Sequence, residues 1–172
     1  MATEALLAVL DMQEGYPTAE VCCSRVCQLL EQARANNWWI LLIRLVGWGR
    51  ILQTVRAQIR DYARGAIIQK RYSSGAPAIR RFCALHGLEP QNLILAGVRT
   101  DCCLAITLQK VVEKEPELSV IVPKSCCATH TAGFNWREFA RWSRQLGNVS
   151  LSEETPKRLV SRLVCTEGGA DK

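Results

Sequence analysis

Three side chains that could support covalent chemistry follow three separate apolar segments of this sequence. Asp11 comes directly after the apolar run at residues 5–10, and Lys70 ends a later, shorter one. Cys103 follows the turn after a further apolar run at residues 92–96. A thiol beside a cation and a general base is a combination that covalent hydrolysis uses. The sequence therefore predicts a nucleophile at Cys103, provided that the fold brings the three side chains together.

The elements that would position these side chains alternate between strand and helix. Continuous apolar runs, typical of strands buried on both faces, are separated by segments whose apolar residues recur with helical spacing. We expect six strands, at residues 5–10, 38–46, 66–70, 92–96, 118–122 and 149–151. This alternation predicts a three-layer α/β/α, Rossmann-like fold with a six-stranded parallel sheet in the order 3-2-1-4-5-6 and helices on both faces.

A parallel sheet would place all three groups at one edge, because its sites lie at the carboxyl ends of the strands. Cys103 would fall in the first turn of a helix, where free N–H groups and a partial positive charge stabilise a thiolate. A nearby Lys70 ammonium would lower the thiol pKa further. Taken singly, each residue has an ordinary explanation, as a cap, a solvated amine or a packed thiol. Their convergence on one edge is what favours chemistry.

Length and composition limit the classes of protein to consider. The chain has 172 residues, of which 48% are hydrophobic and 22% charged, which suits one globular domain. We place that domain at residues 1–165, followed by a flexible tail at residues 166–172. No apolar run reaches the ~18 residues of a membrane span, and the first residues do not resemble a signal peptide. We therefore expect an intracellular protein, cytoplasmic in the first instance and with no membrane partner.

Charge and cysteine content restrict the ligands. A net charge of +6 permits a nucleic-acid partner without requiring one, because the basic residues are scattered. Nine cysteines, an odd number without a secretion signal, argue against a disulfide framework. The spacing of these cysteines also lacks the two paired motifs of a zinc site. We expect no metal and no cofactor.

The segments around the three side chains resemble the isochorismatase-like cysteine hydrolases. Residues 8–16 (AVLDMQEGY) resemble the opening motif of that family, and residues 69–74 (QKRYSS) resemble the segment that supplies its lysine. Residues 93–104 (LILAGVRTDCCL) resemble its nucleophile motif. The three motifs occur in the order of the family and span most of the chain. The resemblance implies that Cys103, rather than Cys102, is the nucleophile.

The resemblance also implies a mechanism. Asp11 would take the thiol proton and later activate water, Lys70 would stabilise the thiolate, and Cys103 would attack the amide-type carbonyl of a small-molecule substrate to give an acyl-enzyme. The family has a non-proline cis peptide bond that here falls between Val98 and Arg99, and such a bond is costly unless it serves a site. It would turn the backbone N–H of Arg99 toward an oxyanion, beside the N–H of Cys103.

Position along the chain suggests five residues of the pocket wall. They are Gln13, Tyr16, Trp48, Tyr72 and Thr100. For the aromatic members, core packing or a subunit interface is equally consistent with the sequence.

One departure from the family concerns metal. Nicotinamidases of this superfamily hold a metal with an Asp and several His between their second and third strands, whereas residues 45–65 here contain no His. A metal-dependent nicotinamidase is therefore not expected.

Two functions remain open at this point. The first is the hydrolase just described. The second is a nucleic-acid-associated or other binding protein that retains the fold without using the cysteine. Residues 147–153 (GNVSLSE) resemble a subgroup that includes a trypanosomatid mitochondrial-associated ribonuclease, which makes mitochondrial association the alternative location. Five tryptophans in one domain, and the habits of the family, also predict a homo-oligomer.

Overall fold

The computed structural model describes residues 5–167 as strands and helices that alternate along the chain. The strands are β1 (Ala5–Leu10), β2 (Trp39–Leu45), β3 (Gly65–Lys70), β4 (Asn92–Val98), β5 (Ser119–Pro123), β6 (Cys127–Ala128) and β7 (Val149–Ser152). The helices are α1 (Thr18–Ala35), α2 (Gln53–Ala57), α3 (Ala76–His86), α4 (Ala105–Lys114), α5 (Trp136–Leu146) and α6 (Pro156–Glu167). A π-helical turn at Thr100–Leu104 leads into α4, and a 3₁₀ turn at Lys124–Cys126 leads into β6.

The sheet confirms the predicted α/β architecture. Its main order is β3-β2-β1-β4-β5-β7, and every neighbouring pair is parallel. The sixth predicted strand is β7, so the order matches. The sequence did not predict β6, a two-residue strand that pairs with Gly97 and Val98 at the end of β4. Since β5 pairs with β4 only over Asn92–Ile94, β6 supports the part of β4 that leads into the nucleophile turn.

The central strand β1 explains why its sequence is apolar without alternation. Leu6, Ala8 and Leu10 belong to one hydrophobic core, which α3, α4 and α5 cover. Leu7 and Val9 belong to the other core, which α1, α2 and α6 cover. A strand with helices on both faces buries every side chain, so it shows no period of two.

Two predicted boundaries differ from the structure. The sequence of residues 51–62 predicts a helix, but the structure is helical only over Gln53–Ala57 and continues as tight turns, in which Asp61 takes a left-handed φ of 58°. The tail expected from residue 166 begins inside α6, which extends to Glu167, and residues 168–172 lie outside the described residues. Among the residues that the structure describes, no helix combines the length and the apolarity needed to cross a bilayer.

A close approach between β1 and β4 sets the position of the site. Gly97 has a φ of 115°, and a Cβ placed there would collide with the carbonyl oxygen of Leu10. Leu10 directly precedes Asp11, and Gly97 stands shortly before the turn that carries Cys103. The absence of a side chain at Gly97 therefore determines how closely these two segments approach each other.

We predict that Gly97→Ala lowers the free energy of unfolding by about 2–4 kcal/mol, because it combines an unfavourable φ with a backbone collision. Gly87→Ala is the matched control, since Gly87 also has a positive φ (63°) but has open space around its Cα. It should cost only about 1 kcal/mol. Urea denaturation measures both, and equal losses would contradict the account of the β1–β4 contact.

Candidate active site

A buried ion pair joins the ends of β1 and β3. Asp11 follows β1 with a left-handed φ of 54°, a conformation that Asp tolerates better than most residues, and its N–H donates to the Ile43 carbonyl at 2.8 Å. Its Oδ2 lies 2.8 Å from Lys70 Nζ, with side chains 0% and 4% exposed. Lys70 Nζ also donates to the Ser73 carbonyl at 2.6 Å. Two charges withdrawn this far from water are stable only as a pair.

Cys103 reaches the same place from the end of β4. Its side chain is buried, and its thiol faces both the Asp11 carboxylate and the Lys70 ammonium, because both charges act on it. The buried Asp11 carboxylate interacts with the Lys70 ammonium, with the Cys103 thiol and with the backbone N–H of Leu45. The acceptor nearest to the thiol proton is therefore this carboxylate. The structure thus brings together the three side chains that the sequence singled out, which we call the Asp–Lys–Cys cluster.

The thiol is not activated in the resting site as the sequence suggested. Burial, together with the negative charge of Asp11, raises the pKa of Cys103 to about 12, against the opposing effect of Lys70. Burial also raises the pKa of the Asp11 carboxyl, although Lys70 opposes this shift. Lys70 does act to lower the thiol pKa, but burial and the Asp11 charge outweigh it, so the expectation of a lowered thiol pKa is wrong. The resting thiol is neutral, and attack by its sulfur would require loss of its proton.

Positive φ angles, rather than a cis bond, shape the turn before the nucleophile. No peptide bond within residues 5–167 is cis, so the prediction of a cis bond between Val98 and Arg99 is wrong. Gly97 (φ 115°) and Arg99 (φ 47°) reverse the chain instead. The Arg99 carbonyl then accepts hydrogen bonds from the N–H groups of Cys102 (3.0 Å) and Leu104 (3.1 Å), the second of which closes a π-helical turn.

Two threonines hold this turn against its neighbours. Thr100, expected in the pocket wall, is buried and donates to the Ala128 carbonyl of β6 at 3.2 Å. The Thr107 hydroxyl donates to the Cys103 carbonyl at 2.6 Å and accepts from the Gly75 N–H at 2.7 Å. Sequence reasoning missed Thr107, although its place one helical turn after the nucleophile is a usual one for such a bond.

Asp101 is a second residue that sequence reasoning missed. Its two carboxylate oxygens accept from the hydroxyls of Thr129 and Thr131, both at 2.6 Å. Burial acts to raise the pKa of Asp101, but these hydroxyl donors outweigh it and the pKa is lowered. The carboxylate therefore ties the nucleophile turn to the loop after β6.

Tyr16 and Trp48 form an aromatic cover beside the cluster. Their rings stack with centroids 4.5 Å apart and planes 4° from parallel. Tyr16 is 3% exposed and Trp48 is 42% exposed, so the outer ring shields the inner one. Burial, and then the negative charge of Asp11, raise the pKa of the Tyr16 phenol, as expected for a ring near the cluster.

Gln13 and Tyr72, the other expected pocket residues, differ in exposure. Gln13 is buried, and its amide is used by the backbone: Nε2 donates to the carbonyls of Leu45 and Gly49, each at 2.9 Å, and Oε1 accepts from the Leu45 N–H at 2.7 Å. It fixes the segment that carries the aromatic cover. Tyr72 is 82% exposed, because the chain bends outward directly after Lys70.

Metal ligation has no support in the described part of the chain. Over residues 5–167, no three or more His, Cys, Asp or Glu side chains are grouped so as to hold a metal ion. The groups of the cluster that could take part in chemistry are a carboxylate, an amine and a thiol.

Both the sequence and the fold resemble those of known proteins. The family model described as the isochorismatase domain matches residues 4–154, which is most of the chain. No curated protein matches the sequence.

Several solved structures share the fold. The MAR1 ribonuclease from Caenorhabditis elegans has a TM-score of 0.77 at 21% identity, over 99% of this chain and 84% of that one. The YcaC gene product from Escherichia coli, described as an octameric hydrolase of unknown specificity, has a TM-score of 0.68 at 20% identity, over 86% and 75%. N-carbamoylsarcosine amidase from Thermoplasma acidophilum has a TM-score of 0.69 at 16% identity, over 88% and 98%.

We predict that Asp11→Asn lowers the pKa of the Cys103 thiol by more than about one unit, because it removes the adjacent negative charge and leaves the Lys70 ammonium. Thiolate absorbance at 240 nm, titrated against pH, measures the change. Each protein is compared with its own Cys103→Ala counterpart, so that the other thiols cancel. An unchanged or higher pKa in Asp11→Asn would show that the carboxylate does not face the sulfur.

Proposed function

We propose that this chain, which belongs to the isochorismatase family, is a hydrolase that cleaves an amide-type C–N bond of a small molecule through an acyl-enzyme on Cys103. The observation that carries the proposal is the convergence of the Cys103 thiol on a buried Asp11–Lys70 ion pair. A neutral thiol beside a carboxylate that can accept its proton is the starting state for general-base-assisted attack.

Acylation begins when the Cys103 sulfur attacks the carbonyl carbon. The S–C bond forms as the thiol proton passes to Asp11, so the sulfur carries no free negative charge beforehand. The carbonyl oxygen becomes an oxyanion, for which we propose the backbone N–H of Cys103 as a donor. The expectation that the Arg99 N–H also donates depended on a cis bond that the structure does not have. When the C–N bond breaks, Asp11 returns the proton to the departing nitrogen.

Deacylation uses Asp11 as the base again, this time to activate water. The Asp11 carboxylate takes a proton from water, and the resulting hydroxide adds to the thioester carbon. The C–S bond then breaks, the sulfur recovers the proton from Asp11, and the carboxylic acid product leaves. Lys70 keeps its charge throughout, because its role is to balance Asp11 and the developing negative charge on sulfur and oxygen.

The closed form of the cluster suits a small substrate. Asp11, Lys70 and Cys103 are all buried, and the Tyr16–Trp48 cover stands beside them. A substrate must therefore displace part of this cover, and closure afterwards excludes water other than the one that reacts. The amidase among the similar structures supports the choice of C–N cleavage.

A second candidate function is action on nucleic acid. A groove of about 590 Å³ is lined by Arg50, Arg56 and Arg60 and borders the strand-end segment that follows Asp11. Arginine side chains of this kind bind phosphate groups, and one similar structure is a ribonuclease. In this candidate the groove, rather than the thiol, would bind the ligand.

Assembly is part of the proposal. Trp136 and Trp142 are half-buried on α5, where they pack with Phe134 and Phe139 at the side of the domain. We propose that the chain forms a homo-oligomer, and the octameric YcaC product is consistent with this.

Cys103→Ala should lower kcat/KM for amide hydrolysis at least about 10³-fold, because it removes the nucleophile. Cys102→Ala is the matched control, one position away, and should change it by less than about threefold. A panel of small amides, assayed by amine release and by the mass of an adduct on Cys103, measures both. Equal losses in the two variants would contradict the proposal, and cleavage of RNA that survives in Cys103→Ala would favour the second candidate.

A further inference from the structure

Arg99 is the one cationic side chain of the turn that carries the nucleophile, within the residues that the structure describes. It stands four positions before Cys103, between the end of β4 and the π-helical turn. Its φ of 47° is a left-handed conformation that residues other than Gly, Asn and Asp rarely adopt. Strain of this kind tends to persist where the position serves a site. The backbone at Arg99 thus has an unusual, fixed conformation four residues before Cys103.

The Arg99 charge reaches two groups of the site. It acts to lower the pKa of both the Tyr16 phenol and the Asp101 carboxyl, so the guanidinium lies within electrostatic range of the inner ring of the cover and of the nucleophile turn. Asp101 is shared with other donors, because its two oxygens accept from the hydroxyls of Thr129 and Thr131.

The guanidinium is incompletely satisfied. Its Nε is buried and donates no hydrogen bond to any residue from 5 to 167. Over the same residues, no carboxylate forms an ion pair with the half-buried Arg99, whereas the buried Lys70 has Asp11. A buried donor without an acceptor is unfavourable, so an acceptor from outside the chain would relieve it.

We infer that Arg99 is a specificity residue that binds a carboxylate group of the substrate while the amide carbon lies at Cys103. The inference rests on the proposed function and extends it, since it names the substrate class as small amides that carry a carboxylate. The planar guanidinium can donate two parallel hydrogen bonds to a carboxylate, which a lysine cannot do. Arg99 would thereby orient the substrate, and it takes no part in the proton transfers.

Two alkylating reagents that differ only in charge test this without a known substrate. Iodoacetate carries a carboxylate and iodoacetamide a neutral amide, and both alkylate thiols. Peptide mass spectrometry gives the rate constant at Cys103 for each reagent, and the exposed Cys165 of the same chain is the internal reference. The measured quantity is the iodoacetate-to-iodoacetamide rate ratio at Cys103, divided by the same ratio at Cys165.

We expect this normalised ratio to exceed one in the parent protein and to fall about tenfold or more in Arg99→Ala. Arg99→Lys should retain part of the preference, since it keeps the charge and loses the paired donors. Arg81→Ala, which removes an exposed arginine of α3, is the matched control and should leave the ratio unchanged.

Three results would overturn the inference. They are a normalised ratio at or below one in the parent protein, an equal ratio in Arg99→Ala, and a Cys103 that neither reagent alkylates over hours. The proposed function fails separately. A protein that hydrolyses no amide but shows the Arg99-dependent ratio retains the anion site, whereas one that hydrolyses neutral and carboxylate-bearing amides equally well retains only the hydrolase.

Discussion

The ion pair between Asp11 and Lys70 is the interaction on which the rest of this site depends. Each charge is almost completely withdrawn from water, so neither is stable without the other at 2.8 Å. Because β2 lies between β1 and β3, the pair joins strand ends that are not neighbours in the sheet. It therefore links the ends of these strands at the edge of the sheet. Because the two charges neutralise each other, a neutral third group can be buried beside them.

The third group, the Cys103 thiol, shows what that balance can do. Burial keeps the sulfur protonated, and the nearby carboxylate keeps it so. A thiol held neutral reacts more slowly with oxidants and alkylating reagents, since the thiolate is the reactive form. Its proton has one acceptor at hand, so a reactive sulfur would arise only when a substrate carbonyl is in place to share the charge. In the proposed mechanism, the ion pair thus serves as a base with a fixed counter-charge.

Sequence reasoning predicted the order of the sheet and the convergence of the three side chains, because apolar runs and strand ends follow directly from burial. It failed where geometry depends on a single backbone angle or on desolvation. The trans bond before Arg99, the two-residue β6 and the role of Thr107 leave no periodic signal. The direction of the Cys103 pKa shift was missed because burial depends on the packing of Tyr16 and other residues distant in sequence.

The coupling energy between Asp11 and Lys70 tests the central claim most directly. Unfolding by urea would be measured for Asp11→Asn, for Lys70→Met and for the double variant. Asp11→Asn leaves the buried Lys70 ammonium without its counter-charge, and Lys70→Met leaves the buried Asp11 carboxylate without its own. Each change should therefore lower the free energy of unfolding by about 3–5 kcal/mol. The double variant should cost at least about 2 kcal/mol less than the sum of the two. Losses that add to within about 0.5 kcal/mol would contradict the account, because they would mean that the two charges are not held together.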